Sequence, residues 1–302
     1  MRKAYLQMHL AILLWGFTAI LGKLILLDEG LLVWYRMGIS SISTLLFVLL
    51  SRSSLRIERY DIFNLIGISF LITLHWITFY GAIKASNVSI AISCFSSIGL
   101  FTALLNPLLT KTKLKFNELI LGAGVILGIG IIFSVQQLYW KGMVLALISA
   151  FLGACFTILN KRVSEKIDPA SITFYELFFG FVLLSVLLPG WFHLNESRFQ
   201  LPTLSDWKYL ILLAVACTTL PFTLSMHSIK KLDAFTMNLT LNLEPLYSII
   251  LAIVLFHEDK TLGFRFYLGT FVILLTVLWH GYRKVTSAID QKTELEKHKL
   301  TQ

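Results

Sequence analysis

Seven ionisable residues lie inside long apolar stretches of this 302-residue sequence. An ionisable side chain within a segment that spans a bilayer is costly, so it normally faces a protein interior or water and marks a functional site. These residues are therefore the first candidates for chemistry. They are Lys23, Arg36, His75, Lys161, Glu176, His227 and Glu244.

Glu244 lies about ten residues into an apolar run, close to the expected membrane midplane. Pro245 disfavours the α-conformation at Glu244, which predicts a kink or break. Asn238 and Asn242, four residues apart, share a helix face. The carboxylate predicts binding of a substrate ammonium or of a coupling proton. The alternative is a structural carboxyl, neutral or paired with a base such as Arg36, that locks two helices together.

Two pairs of charged residues occupy corresponding places in the two halves of the chain. Lys23 and Arg36 fall near the outer ends of their runs, where together they would attract an anionic group such as a carboxylate. Lys161 and Glu176 mirror them near the inner face and are candidates for an inner gate. The alternative for both lysines is that their long side chains extend to the membrane interface.

Aromatic residues accompany these charges. Trp15 lies midway along the first apolar run, and His75 is next to Trp76 in the third. They are candidates for a pocket that takes an apolar or aromatic solute. The alternative is that both tryptophans are packing residues and that His75 is a satisfied buried histidine.

The elements that must position these residues are membrane helices. The chain is 56% apolar and only 14% charged, with a mean hydropathy of +0.76, whereas soluble domains are about one quarter charged. A spanning helix needs about 20 mostly apolar residues. The sequence therefore predicts an all-α integral membrane protein with ten transmembrane helices, at roughly 6–27, 31–50, 62–82, 88–110, 117–134, 142–162, 170–190, 207–227, 234–256 and 263–282.

The lysines and arginines alternate between the two sides of these helices. With the N-terminus in the cytoplasm, 18 of the 26 lie on the inner side and 6 on the outer side. This bias predicts cytoplasmic N- and C-termini in a plasma membrane, the bacterial inner membrane, and it explains the net charge of +9 without nucleic acid. The first run is longer than the apolar part of a signal peptide, so we expect it to be retained.

The two halves of the sequence resemble each other. Residues 15–23 align with 153–161, and the charged connections follow in the same order. Because each half has five predicted helices, the second half would enter the membrane from the opposite side, as a 5+5 inverted repeat. Substrate sites in such transporters lie between the repeats. We expect five-helix units at 6–135 and 142–282 and a cytoplasmic tail at 283–302.

Several short motifs resemble those of the drug/metabolite transporter superfamily, and the EamA-type permeases are the nearest branch. The motifs are Trp15-Gly16 with Lys23, the early Arg36 of the second helix, Pro245, and the Phe256-His257-Glu258 sequence that closes the ninth helix. The resemblance covers the chain from Leu6 to Tyr282 as two EamA-like units. It implies a ten-helix metabolite transporter, often an exporter of amino acids or related small solutes.

The first half departs from this pattern. Ile98 stands where the second half has Pro245, and Lys111 stands where it has Glu258, while Pro107 comes several residues later. We therefore expect the fourth and ninth helices to bend differently.

The function predicted from these observations is secondary transport of a small metabolite by alternating access, with export as the expected direction. The partners are a small-molecule substrate, a coupling proton and the lipid bilayer. We expect no enzyme, no cofactor and no metal, since no nucleotide cradle, HExxH motif or clustered carboxylates occur. The alternatives are a membrane-embedded enzyme that uses Glu244, Glu176 or His75, and a non-transporting membrane protein. Substrate identity, coupling ion and oligomeric state stay open.

Two glycines of the fifth predicted helix indicate how that helix packs. Gly124 and Gly128 form a small-x3-small face that allows close helix approach. We expect this face to pack within the chain.

Overall fold

A computed structural model describes most of the chain. The described residues are 2–111, 116–135, 137–232, 237, 240–241, 243–276, 278–279 and 282. All regular structure within them is helical. The α-helices are α1 Arg2–Trp15, α2 Thr18–Leu24, α3 Glu29–Leu50, α4 Arg59–Ala85, α5 Val88–Phe95, α6 Ile98–Thr110, α7 Phe116–Val135, α8 Trp140–Val163, α9 Pro169–Leu194, α10 Leu204–Ala214, α11 Leu220–Ile229, α12 Glu244–Phe256 and α13 Phe264–Thr276.

Side-chain caps mark where several of these helices begin. The Asp28 carboxylate accepts from Leu31 N at 3.0 Å at the start of α3, and Asn87 accepts from Ile90 N at 2.8 Å at the start of α5. Thr203 forms a capping box with Asp206 at the start of α10. Such caps satisfy amides that have no partner inside the helix, so the local sequence fixes these starts.

Seven helical segments in the described chain are long and apolar enough to cross a membrane. Three shorter apolar helices lie at the positions of the fifth, ninth and tenth predicted runs. Together they coincide with the ten predicted runs. The number that cross stays a prediction. The long segments are Lys3–Leu24, Glu29–Leu50, Arg59–Ala85, Val88–Thr110, Trp140–Val163, Pro169–Leu194 and Leu204–Ile229, and the shorter helices are Gly122–Ser134, Glu244–Phe256 and Phe264–Thr276.

The fourth and ninth apolar segments are interrupted at corresponding points. The fourth breaks at Ser96–Ser97, between α5 and α6, and α12 begins at Glu244. α6 and α12 are both 13 residues long. Each ends on a left-handed residue, Lys111 at φ 57° and His257 at φ 53°.

The fourth segment thus breaks even though Ile98 stands where the ninth has Pro245, whereas the comparison of the two bends involves residues 238–239 and 242, which lie outside the described residues. The first half breaks without a proline, at two consecutive serines, and the Ser96 hydroxyl and amide both donate to the carbonyl of Ile92 at 3.1 Å. Pro107, by contrast, lies inside α6 and does not end it.

Two other interruptions occur in only one half. The first segment breaks at Gly16–Phe17, between α1 and α2, while its counterpart α8 is continuous. The carbonyl freed at Gly16 accepts from the Ser248 hydroxyl of α12 at 2.9 Å. A π-helical stretch at Val215–Thr219 joins α10 to α11, while its counterpart α4 is continuous.

The core lies where α4 packs against α8 and α9, with α3 against α9 and α1 against α11. Tyr80, Met37 and Ile72 are among its fully buried members. Large apolar side chains such as Phe63 and Val186 are exposed around the outside. An apolar exterior of this extent fits contact with lipid.

α7 and α13 cross at glycines. A Cβ atom on Gly128 would lie 2.7 Å from the Gly269 carbonyl oxygen, and a Cβ on Gly269 would lie 2.7 Å from the Gly128 carbonyl oxygen. A Cβ on Gly124 would lie 2.5 Å from the Thr276 hydroxyl. The small-residue face therefore packs within the chain, as expected.

We predict that Gly128→Ala destabilises the protein by about 1–3 kcal/mol, because the methyl group must push α7 and α13 apart. Gly130 has no atom within 4 Å of a would-be Cβ, so Gly130→Ala is the matched control. Its expected effect is nil or a gain of up to about 1 kcal/mol from helix propensity. Apparent Tm values of the purified variants in one detergent measure both. Equal Tm values for the two variants would contradict the crossing.

Candidate functional site

A cavity lies inside the helix bundle, enclosing about 720 Å³ with its mouth included. Helices from both halves of the chain line it. The predicted site residues on its wall are Trp15, Arg36, His75, Trp76 and Glu244. Asn238 and Asn242 lie outside the described residues.

Arg36 is buried and held in one orientation. Its Nε donates to the Thr218 hydroxyl at 2.8 Å, and its Nη1 donates to the Tyr80 hydroxyl at 2.5 Å. The guanidinium also stacks on Trp76, with 3.7 Å between its central carbon and the ring centroid. The fork of hydrogen bonds and the planar stacking favour arginine, because a lysine ammonium is a point charge that can lie over a ring but cannot stack on it.

Glu244 sits in the first turn of α12 and is 5% exposed. The first turn is the positive end of the helix dipole, which favours a carboxylate. Arg36 and Glu244 interact electrostatically, yet no ion pair within 4.0 Å joins them. The sequence left open a structural pair of Glu244 and Arg36 that would lock two helices together. These two side chains are not in direct contact, and both face the cavity.

Aromatic side chains form much of the remaining wall. Trp15 and Trp76 both pack edge-on against Phe222, with centroid distances of 6.3 and 6.1 Å. The Nδ1 of His75 lies 2.9 Å from the Ser149 carbonyl oxygen and 2.8 Å from the Ser149 hydroxyl. His75 is therefore a satisfied buried histidine, and its ring contributes mainly an aromatic surface.

One face of the bundle is closed above the cavity by a group we name the Lys23–Glu258 latch. The Glu258 carboxylate accepts from Lys23 Nζ at 2.7 Å, Ser89 Oγ at 2.6 Å, Ser89 N at 2.9 Å and Val88 N at 3.1 Å. The latch thereby ties the end of α2 to the first turn of α5 and to the segment that follows α12. Burial raises the pKa of Glu258, but the hydrogen bonds from Lys23 and Ser89 outweigh it, so the pKa lies below its ordinary value.

The connection between α2 and α3 completes this closed face. Leu26 N donates to the Asp206 carboxylate at 2.9 Å, and the Leu27 carbonyl accepts from Lys84. Asp28 accepts from the Trp191 indole at 3.1 Å. The cavity instead extends toward Met8 and Ile229, which lie near the opposite face.

Comparison with known proteins assigns the family. The model of the EamA-like transporter family matches residues 2–134 and 140–282, two copies that cover nearly the whole chain. The chain belongs to the EamA-like transporter family. It is thus a multi-pass membrane protein related to transporters of small solutes, and the resemblance found in the sequence is confirmed.

Two relatives of the EamA-family protein come from Bacillus subtilis (strain 168). The uncharacterized transporter YxxF is 23% identical over 216 residues, which cover 68% of this chain and 67% of YxxF. The uncharacterized transporter YetK is 29% identical over 114 residues, which cover 37% of this chain and 34% of YetK. A protein of known crystal structure matches 93% of this chain and 96% of its own with a TM-score of 0.65 and 17% identity, which shows a shared fold.

The two charged pairs expected from the sequence are not formed. Lys23 contacts Glu258 in the latch instead of joining Arg36 in an anion site. Lys161 donates to the Ile229 carbonyl at 2.7 Å and makes no ion pair with Glu176. In each case a partner far along the chain satisfies the lysine.

The sequence reasoning missed Tyr80 and Thr218, which orient Arg36. Tyr80 follows Trp76 by four residues, so the two share a helix face and both contact the guanidinium. That spacing was an available signal for Tyr80. Thr218 lies 182 residues from Arg36 in the π-helical stretch, and the sequence carries no signal for it.

We predict that Glu258→Gln weakens the closed face. A cysteine replacing Thr18 on the cavity wall, in a background without native cysteines, should then react faster with a membrane-impermeant thiol reagent added on the latch face. Asp259→Asn removes a neighbouring exposed carboxylate outside the latch and is the matched control. Equal labelling rates in both variants would contradict the gating role of the latch.

The latch also predicts a pH dependence. Because the folded pKa of Glu258 is lowered, its stabilising effect is fully present above the ordinary glutamate pKa of about 4.3 and is lost as the pH falls through the lowered value. The Tm difference between wild type and Glu258→Gln, corresponding to about 1.5–3 kcal/mol, should be constant at neutral pH and shrink in acid. A difference that grows as the pH falls would have the wrong sign.

Proposed function

We propose that this EamA-family protein is a secondary transporter that exports a small zwitterionic metabolite, an amino acid or related solute, across the plasma membrane. The observation that supports this most is a guanidinium and a carboxyl facing one aromatic-lined cavity. The Arg36 guanidinium suits a substrate carboxylate, and Glu244 suits a substrate ammonium or a coupling proton. Ionisable side chains such as Arg36 and Glu244 are rare at this depth in a membrane protein, and they normally serve to bind a ligand or an ion.

The shape of the cavity agrees with this class of substrate. Tyr80 and Thr218 fix the Arg36 guanidinium before any ligand arrives, so little ordering is needed on binding. The Trp15, Trp76 and Phe222 rings offer an apolar surface for the body of the solute. A few placed polar groups within an aromatic wall are typical of small-molecule sites.

Alternating access is supported by the interrupted segments. Three breaks, at Gly16–Phe17, at Ser96–Ser97 and before Glu244, occur in segments that line the cavity. Discontinuous helices at the interface of inverted repeats build the sites of many secondary transporters. We therefore propose ten transmembrane helices, with five-helix units at 6–135 and 142–282 exchanging access around this cavity.

The orientation follows from the distribution of basic residues. With both termini in the cytoplasm, the Lys23–Glu258 latch lies on the outer face. The described arrangement then has its outer face closed and its cavity extending toward the cytoplasm. Export would require the latch to open after the substrate has bound from inside.

The substrate test is metabolite profiling of the growth medium. Cells that make wild type, Glu244→Gln or Glu165→Gln at equal membrane abundance are compared by untargeted mass spectrometry. Glu165 is exposed on a connection, so its variant is the matched control. We expect an amine-bearing acid enriched outside with wild type and Glu165→Gln, and lost with Glu244→Gln. Depletion from the medium would overturn export, and no change with wild type would overturn transport.

We further predict that Arg36→Lys weakens binding of that compound by about ten- to a hundredfold. The lysine loses a charge-assisted hydrogen bond, worth about 1.5–3 kcal/mol, and the stacking on Trp76. Arg56→Lys, on an exposed connection, is the control. Concentration-dependent exchange in proteoliposomes measures the affinity. Equal affinities for the two variants would remove Arg36 from the substrate site.

A further inference from the structure

The most deeply buried carboxyl of the described residues, that of Glu176, does not line the cavity. Glu176 on α9 is 0% exposed, and neither of its oxygens has a hydrogen-bond partner among the described residues. Asn160 on α8 is its polar neighbour, also 0% exposed, and the nitrogen and oxygen of its amide are likewise unpartnered. The two groups lie close, but not in hydrogen-bond geometry. Such a cluster is expensive to bury unless something binds there.

No described cation neutralises Glu176. α9 packs against α3, α4 and α11, and Asn160 brings in α8. Five charged or titratable groups of these helices have other partners. Arg36 donates to Thr218 and Tyr80, His75 contacts Ser149, Lys161 donates to the Ile229 carbonyl, His227 contacts the Thr223 carbonyl and Tyr175 donates to the Leu55 carbonyl.

The other charged groups of these helices lie in their end turns, and Arg162, in the same turn of α8 as Asn160, donates to the Leu109 carbonyl. They are Glu29, Arg59, Asp61, Lys84, Lys141, Arg162 and His193. An ionised carboxylate without a partner in this position would be strongly disfavoured. In the described arrangement the carboxyl is therefore neutral, with a proton on one oxygen.

A proton fits this site better than a metal cation. α8 and α9 are continuous helices, so their carbonyl oxygens are engaged in backbone hydrogen bonds instead of being free to coordinate a sodium ion. Within the described chain, no group of three or more metal-ligating side chains occurs. One carboxyl oxygen is enough to hold a proton.

The site has a short route to the face opposite the latch. Glu176 lies seven residues from the start of α9, about 10 Å along the helix axis. The connection between α3 and α4 covers that end. Ser171 Oγ donates to the Ser54 carbonyl at 2.5 Å, and Tyr175 donates to the Leu55 carbonyl at 2.7 Å. Release of these two bonds would bring water to the carboxyl.

We propose that Glu176 and Asn160 form a proton-binding site through which the protein exchanges the coupling proton with the face opposite the Lys23–Glu258 latch. With residues 51–58 docked, the carboxyl is neutral. When they are released, the proton passes to water of that face and the Asn160 amide donates to the carboxylate. The inference that a proton binds at Glu176 rests on this geometry alone. The inference that proton movement is coupled to a solute rests on the proposed function.

Infrared difference spectroscopy of the full-length protein in lipid nanodiscs tests proton binding. We expect wild type to show, at neutral pH, a protonated-carboxyl C=O band that shifts in heavy water. In a Glu244→Gln background, where the cavity carboxyl cannot contribute, Glu176→Gln should lack this band, while the exposed-site control Glu165→Gln should keep it. Glu176→Asp, which retains a carboxyl, should shift the band and covers the case that Glu176→Gln folds poorly.

Two spectroscopic results would overturn the proposal. One is the same protonated-carboxyl band with and without Glu176→Gln in the Glu244→Gln background at every pH, because Glu176 would then be ionised throughout. The other is loss of the wild-type band when sodium is added at constant pH, because the site would then bind a metal cation.

Proteoliposome transport tests the coupling, using the compound found by medium profiling. Glu176→Gln should keep the exchange of labelled for unlabelled solute, which needs no net proton movement, but its accumulation under an imposed pH gradient should fall to that of protein-free vesicles. Unchanged gradient-driven accumulation would overturn the coupling role alone. If wild type moves no solute at all, the proposed function fails, and the infrared titration still decides the proton site.

Discussion

The buried guanidinium of Arg36 is the constraint around which the centre of this protein is organised. A permanent charge inside an apolar bundle must be given hydrogen-bond acceptors and a polarisable surface. Tyr80 and Trp76 supply these from α4, and Thr218 supplies a hydroxyl from the π-helical stretch. Arg36 therefore joins its own helix, α3, to α4 in the same half of the chain and to the π-helical stretch in the other half. The aromatic wall of the cavity follows from this arrangement.

The interruptions of the helices are subject to the same requirement, that every buried polar group has a hydrogen-bond partner. Backbone carbonyls and amides released at membrane depth are tolerated only where protein or water satisfies them. The carbonyl freed at Gly16 accepts from the Ser248 hydroxyl, and at the break before Ile98 the Ser96 hydroxyl donates to the Ile92 carbonyl. The breaks thus lie where segments from the two halves meet, which is also where a solute would have access to polar groups.

The contacts at the two faces of the bundle use different chemistry. The Lys23–Glu258 latch uses full charges together with the free amides at the start of α5. The opposite end is covered by neutral hydrogen bonds from Ser171 and Tyr175 to the connection between α3 and α4. An ionic latch and a neutral cover respond differently to pH and to a bound charge, so the two faces need not open under the same conditions.

The sequence by itself determined the class of protein, the order of the helices, the family, and the residues whose burial would be costly. Trp15, Arg36, His75, Trp76 and Glu244 were identifiable because hydropathy and an intramembrane charge are local properties. Only the tertiary structure decided their partners. Lys23 meets Glu258 across 235 positions and Arg36 meets Thr218 across 182, and no local pattern encodes such contacts. For the same reason the sequence could not show that Lys161 would donate to a backbone carbonyl, or that Glu176 would be buried beside Asn160 with no charged partner among the described residues.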